Sequence, residues 1–124
     1  MSSAQSHKKI LVVDDSPAEL KLLTQLLEHE GYQAIGVDDP TRIEQTIDAE
    51  RPSLILLDVV LPDGDGRAVC KGMRAKPATA SIPVILITAN KPAPNDQAKG
   101  VEAGAEDYLV KPLHDQLKRA LREK

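Results

Sequence analysis

Ile10-Leu11-Val12-Val13-Asp14-Asp15 is an apolar run that ends in two carboxylates. Leu54-Ile55-Leu56-Leu57-Asp58 repeats the arrangement with one carboxylate, Tyr108-Leu109-Val110-Lys111 ends in an ammonium, and Val84-Ile85-Leu86-Ile87-Thr88 ends in a hydroxyl. Nearly continuous Leu, Ile and Val over so short a run is how a strand covered on both faces reads. Amphipathic segments of ten to fifteen residues separate the runs. That alternation predicts repeated βα units and a parallel sheet, the α/β class. Five strands are expected, at about 9–14, 33–37, 53–58, 83–88 and 107–111. In an open parallel sheet, ligands bind outside the carboxyl ends of the strands. Asp14, Asp15, Asp58, Thr88 and Lys111 therefore converge from distant parts of the chain. Three carboxylates, a hydroxyl and an ammonium suit a divalent cation and a phosphoryl group.

Helix signals punctuate the same pattern. Ser16 and Pro17 are an N-cap and a first helical residue, and Glu19, three after Ser16, completes a capping box. Leu20, Leu23 and Leu27, with Leu22 and Leu26, give this first helix a broad apolar face, and Gly31 supplies a left-handed stop. A second helix is expected from Asp39-Pro40 with Ile43 and Ile47 inward, ending at Pro52. A third runs from about Arg67 to Ala75 and is ended by Lys76-Pro77; Gly64-Asp65-Gly66 before it reads as a turn. A fourth spans about Asp96 to Ala103, and a fifth about His114 to Glu123.

The 124 residues suit one domain around one core. With two tyrosines as the only aromatics, that core must be aliphatic. A net charge of −3 argues against a nucleic-acid surface, which needs a basic patch. No apolar run approaches a membrane span. Residues 1–7 read as a short disordered lead without the apolar centre of a signal peptide, so a cytoplasmic protein is expected. Cys70, the single cysteine, allows no internal disulfide and reads as a buried, unreactive thiol. His7, His29 and His114 read as solvated surface groups.

Three carboxylates in one pocket need a cation or a proton, since two unit charges 4 Å apart repel by roughly 4 kcal/mol at an effective dielectric of about 20. Oxygen-only donors suit Mg²⁺, and with no cysteine or histidine near these strand ends zinc is disfavoured. Each residue also has a plain reading. Asp14 and Asp15 could serve only the dipole of the helix behind them. Asp58 could be a turn residue. Thr88 could be a β-former, and Lys111 a solvated lysine. What argues against this is that all of them fall at carboxyl ends of strands.

Four stretches in this order carry a resemblance. They are Lys9-Ile10-Leu11-Val12-Val13-Asp14-Asp15; Asp58-Val59-Val60-Leu61-Pro62-Asp63-Gly64-Asp65-Gly66; Ile85-Leu86-Ile87-Thr88-Ala89; and residues 103–112, Ala-Gly-Ala-Glu-Asp-Tyr-Leu-Val-Lys-Pro. The chain resembles a receiver domain of two-component response regulators over roughly residues 8–124. The resemblance implies a three-layer αβα fold with a five-stranded parallel sheet in the flavodoxin-like order 2-1-3-4-5 and five helices. Asp58 would be the phosphoryl acceptor. Asp15 would ligate Mg²⁺ directly, Asp14 mostly through water, and the Val60 backbone carbonyl would add a ligand. Lys111 and Thr88 would contact phosphoryl oxygens, Tyr108 would be the rotating aromatic of a switch, and the bond before Pro112 would be cis. The donor would be a histidine kinase or histidine phosphotransfer protein. The readout would be a changed surface on the fourth helix, fifth strand and fifth helix that controls a protein effector or output domain, and that face could also form a homodimer.

Departures from the family pattern bear on kinetics and partners. The loop Asn90-Lys91-Pro92-Ala93-Pro94-Asn95-Asp96 is about one residue longer than usual and holds two prolines. Val60 is apolar where relatives often carry a polar side chain, and Asn90 is uncharged, which predicts modest hydrolysis of an acyl phosphate. Val60 also argues against a phosphatase with an aspartyl-phosphate intermediate, because such enzymes need a second acid two residues after the nucleophile. A receiver excised from a larger regulator or hybrid kinase, and an interaction domain independent of phosphorylation, remain as alternatives.

Overall fold

The computed structural model describes residues 8–61, 64–88 and 107–110; within these, Pro40, Val60, Leu61, Gly64, Asp65, Asp107, Tyr108 and Val110 are described by their backbone. The elements are β1 (Lys9–Val13), α1 (Pro17–His29), β2 (Gln33–Val37), a 3-10 turn (Pro40–Arg42), α2 (Ile43–Glu50), β3 (Leu54–Asp58), β4 (Val60–Leu61), β5 (Gly64–Asp65), α3 (Gly66–Arg74), β6 (Val84–Thr88) and β7 (Asp107–Val110). Five strands form one sheet in the order β2-β1-β3-β6-β7, every pair parallel. Counting only these strands, this is the expected order 2-1-3-4-5. The fourth and fifth expected helices, Lys111 and Pro112 lie outside the described residues.

Alternation along the strands divides the core into two layers. Leu11, Val13, Ile55, Leu57, Val84 and Leu86 pack with Ile43 and Ile47 of α2 and with Cys70 and Met73 of α3. Ile10, Val12, Leu54, Leu56, Ile85 and Ile87 face the other way onto Leu23 and Leu27 of α1. All residues of β3 and β6 are buried. A strand sandwiched between two helical layers has no solvent face, so it carries no polar alternation.

Several local expectations change. In α1, Leu23 and Leu27 are buried and Leu20 and Leu26 half-buried, but Leu22 is 65% exposed, so the apolar face is narrower than the leucine count implied. Leu22 lies about 100° around the helix from Leu23 and so turns away from the sheet. The second helix proper starts at Ile43, because Pro40–Arg42 closes as a 3-10 turn first. It ends with Arg51 in the left-handed region at φ 52, immediately before Pro52, where helical backbone is disfavoured. Gly31 takes φ 94 after α1, as expected of the stop. Gly64-Asp65 pairs antiparallel with Val60-Leu61 as a two-stranded ribbon, and Gly66 already belongs to α3, which ends at Arg74.

Candidate functional site

Register brings the strand ends together. Val13 pairs with Leu57, so Asp14 and Asp58, each the next residue, emerge side by side from neighbouring strands. Asp58 pairs with Ile87, which puts Thr88 one step further on, and Thr88 pairs with Val110. The sheet order reverses between β1 and β3, and a cleft opens at such a switch point. Backbone bonds hold the rim: Asp14 N–H donates to Val37 O at 3.1 Å, and Val59 N–H to Ile87 O at 2.9 Å.

Asp14, Asp58 and Thr88 are buried, with Asp14 fully so. Asp15 is exposed at the mouth. Asp14 Oδ1 accepts the Ser16 N–H at 3.0 Å, which turns the chain into α1. Ser16 Oγ in turn accepts the Glu19 N–H at 3.4 Å. The capping half of the expected box is thus present, while Asp14 receives the Ser16 amide.

Glu19 is the residue that sequence reasoning missed. One carboxylate oxygen each of Asp14, Glu19 and Asp58 lie within 4.8 Å of one another. The signal was available: side chains in a first turn lean back toward the helix N-terminus, here toward Asp14. At that spacing each pair of charges repels by roughly 3–4 kcal/mol at an effective dielectric of about 20. The donor set is all oxygen, which fits a hard divalent cation that keeps some of its water.

Gly66 closes the floor. Its N–H donates to Val59 O at 2.7 Å, and a Cβ built on it would lie 2.1 Å from the Asp58 carbonyl oxygen. No side chain fits there, so the backbone behind Asp58 is packed directly against the start of α3. Of the expected site residues, Asp14, Asp58 and Thr88 are thus placed at one end of the sheet. Val60 stands in β4, two residues after Asp58, Tyr108 pairs with Leu86 two positions before the Thr88–Val110 pair, and Lys111 follows Val110 outside the described residues.

Comparison with known proteins agrees with this geometry. Residues 10–122 match the family model for the response regulator receiver domain. The response regulator PleD of Caulobacter vibrioides is 42% identical over 108 residues, which cover 86% of this chain and 23% of that protein. The alkaline phosphatase synthesis transcriptional regulatory protein PhoP of Bacillus subtilis is 42% identical over 107 residues, which cover 86% of this chain and 43% of that protein. The chain thus spans less than half the length of these relatives. A crystal structure of a putative response regulator from Chloroflexus aurantiacus superposes with a TM-score of 0.87 at 30% identity, covering 95% of this chain and 97% of that one. A parallel sheet in this order, carboxylates gathered at its switch point and a family match along nearly its whole length all agree: the chain belongs to the response regulator receiver domains, the phosphorylation-controlled modules of two-component signal transduction.

Proposed function

We propose that Asp58 is the residue phosphorylated, and that residues 8–124 form the receiver unit. The observation that carries this reading is the position of Asp58: a buried carboxylate at the end of central strand β3, grouped with those of Asp14 and Glu19. A carboxylate oxygen of Asp58 attacks phosphorus, and an acyl phosphate forms. The P–N bond of a phosphohistidine breaks, and the imidazole keeps its electron pair. The donor is a histidine kinase or a histidine phosphotransfer protein.

Asp15, Asp14, Asp58 and the Val60 backbone carbonyl would hold Mg²⁺, Asp15 directly and Asp14 largely through water. The ion would offset negative charge on the equatorial oxygens of the group in transfer. Lys111 pairs with one phosphoryl oxygen, and Thr88 donates its hydroxyl to another. Phosphorylation adds about −1.5 to −2 of charge and new acceptor oxygens. Thr88 moves toward them, Tyr108 follows, and the surface of the fourth helix, fifth strand and fifth helix shifts between two packings. The bond before Pro112 is cis in this reading.

The chain turns over no separate substrate in this proposal; it accepts a phosphoryl group and slowly loses it. Output passes through a protein effector or an attached output domain. Direct nucleic-acid contact is not assigned to a chain of net charge −3, although PhoP is by name a transcriptional regulator. Among the described residues no helix is long and apolar enough to cross a membrane. Work in the cytoplasm, where such donors present their phosphohistidine, fits that.

Intact mass after incubation with Mg²⁺ and acetyl phosphate tests the proposal. One phosphoryl group is expected on the parent and none on Asp58→Asn. Equal labelling of both proteins, or none on the parent, would overturn the assignment.

A further inference from the structure

We propose that the outer edge of β2, with the groove beside it, pairs with the same surface of a second copy of this chain. The pairing is antiparallel, about a two-fold axis beside Ile35 and Thr46. It lies on the opposite edge of the sheet from β7 and does not rest on the function proposed above.

β2 ends the sheet, and among the described residues only β1 pairs with it. The Gln33 N–H donates to Lys8 O at 2.9 Å, and Val37 O accepts the Asp14 N–H at 3.1 Å. Residues 33 and 37 therefore turn their backbone polar groups toward β1, and by alternation so does Ile35, while Ala34 and Gly36 turn theirs outward. Natural edge strands are commonly blunted by lysine, proline or a bulge. Gln33-Ala34-Ile35-Gly36-Val37 carries no charge and no proline, and it follows β1 in unbroken register. Such an edge is a template for another strand.

Two observations select a second copy as that strand. In an antiparallel pair centred on Ile35, Ala34 of each chain stands opposite Gly36 of the other, and each such pair exchanges two N–H to O=C bonds. The outward groups thus match themselves, as a two-fold contact requires. Ile35, half-buried in the single chain, meets Ile35 of the second copy in the close pair between them.

The charges beside the edge are self-complementary in the same way. An open groove of about 380 Å³ runs between β2 and α2, with Ile35, Val37, Arg42, Thr46 and Glu50 in its lining. Arg42, Thr46 and Glu50 recur at four-residue spacing and share one side of the helix, with a cation at one end and a carboxylate at the other. Reversal about Thr46 sets Arg42 of each chain against Glu50 of the other. Glu50 Oε1 has Lys9 Nζ of its own chain at 3.4 Å, but both side chains are more than a third exposed, and a carboxylate accepts from more than one cation.

Sedimentation velocity over a concentration series, with amide exchange of Ala34 and Gly36 read at its dilute and concentrated ends, tests the proposal. A monomer–dimer equilibrium is expected, with these two amides slowed only in the concentrated sample. Arg42→Glu and Glu50→Arg each set like charges across the axis twice, and each is expected to weaken self-association at least roughly tenfold. Mixed together, the two variants again face each other with opposite charges. They are expected to associate with one another, which a variant that fails to fold could not do.

A monomer at the highest soluble concentration would overturn the proposal and leave the edge to a different polypeptide. A dimer that survives unchanged in both variants would also overturn it, since the contact would then lie elsewhere. So would two weakened variants that fail to associate when mixed.

Discussion

A Cβ on residue 66 would sit 2.1 Å from the carbonyl oxygen of Asp58. The obstacle is backbone on both sides, so no rotamer change relieves it. Gly66→Ala must therefore push α3 away from the end of β3. The Gly66 N–H to Val59 O bond of 2.7 Å would be strained by the same shift. Overpacking of this kind costs about 1–3 kcal/mol. We expect a lower midpoint in urea and a slower reaction with acetyl phosphate, because the proposed acceptor moves with its backbone. Unchanged stability would show that α3 can yield without cost.

Arg74 is the second structural linchpin. Its Nη1 donates to the carbonyls of Ile82 at 2.7 Å, Ala80 at 3.0 Å and Thr79 at 3.3 Å. Thr79 Oγ1 donates to Met73 O at 2.7 Å. Together they tie the loop after α3 to the entry of β6. A planar guanidinium can span several carbonyls, whereas a lysine ammonium presents a point charge on a different stem. Arg74→Lys is expected to cost about 1–3 kcal/mol in equilibrium unfolding, as carbonyls lose a charged donor. It should leave acetyl phosphate labelling of the folded protein intact, since the loop enters β6 beside Ile55, at the opposite end of the strands from Asp58.

The sequence-to-structure comparison turns on which residues had one physical solution. Strands β3 and β6 were legible because a run such as Leu54-Ile55-Leu56-Leu57 can be satisfied only between two helical layers. Asp14, Asp58 and Thr88 were legible because they end those runs. Glu19 was not, since a capping box accounted for it and only the three-dimensional fold brings its carboxylate close to those of Asp14 and Asp58. Leu22 was misplaced because five leucines in α1 exceed what one helical stripe can bury. The Val60-Leu61 and Gly64-Asp65 ribbon escaped notice because two-residue strands leave no periodicity to read.

Ser16 links the helix cap to the site. It accepts from the Glu19 N–H and donates its own amide to Asp14 Oδ1. Ser16→Ala removes the first bond but not the second, because the second uses the backbone. Loss of an N-cap hydroxyl costs about 1 kcal/mol. We expect that loss in chemical unfolding, with Ser16→Asp restoring most of it.

Cys70 provides a prediction in pH. It is fully buried between Met73 and the strands, and burial pushes its thiol above the usual range, with Arg74 pulling partly the other way. The thiol is therefore protonated in the native protein at neutral pH, and a disulfide reagent at pH 8 should modify it only after unfolding. The linkage has a definite sign. A group whose folded value is raised favours the native state in its protonated form. Its contribution is complete below the ordinary thiol range and is lost as pH rises through the raised value. Cys70→Ala should lower stability at pH 7 through the space it leaves. Its stability should then fall less steeply than the parent's above the ordinary thiol range, because no buried thiol remains to be ionised. Parallel alkaline limbs for the two proteins, or fast modification of native Cys70, would show that the thiol is open to water.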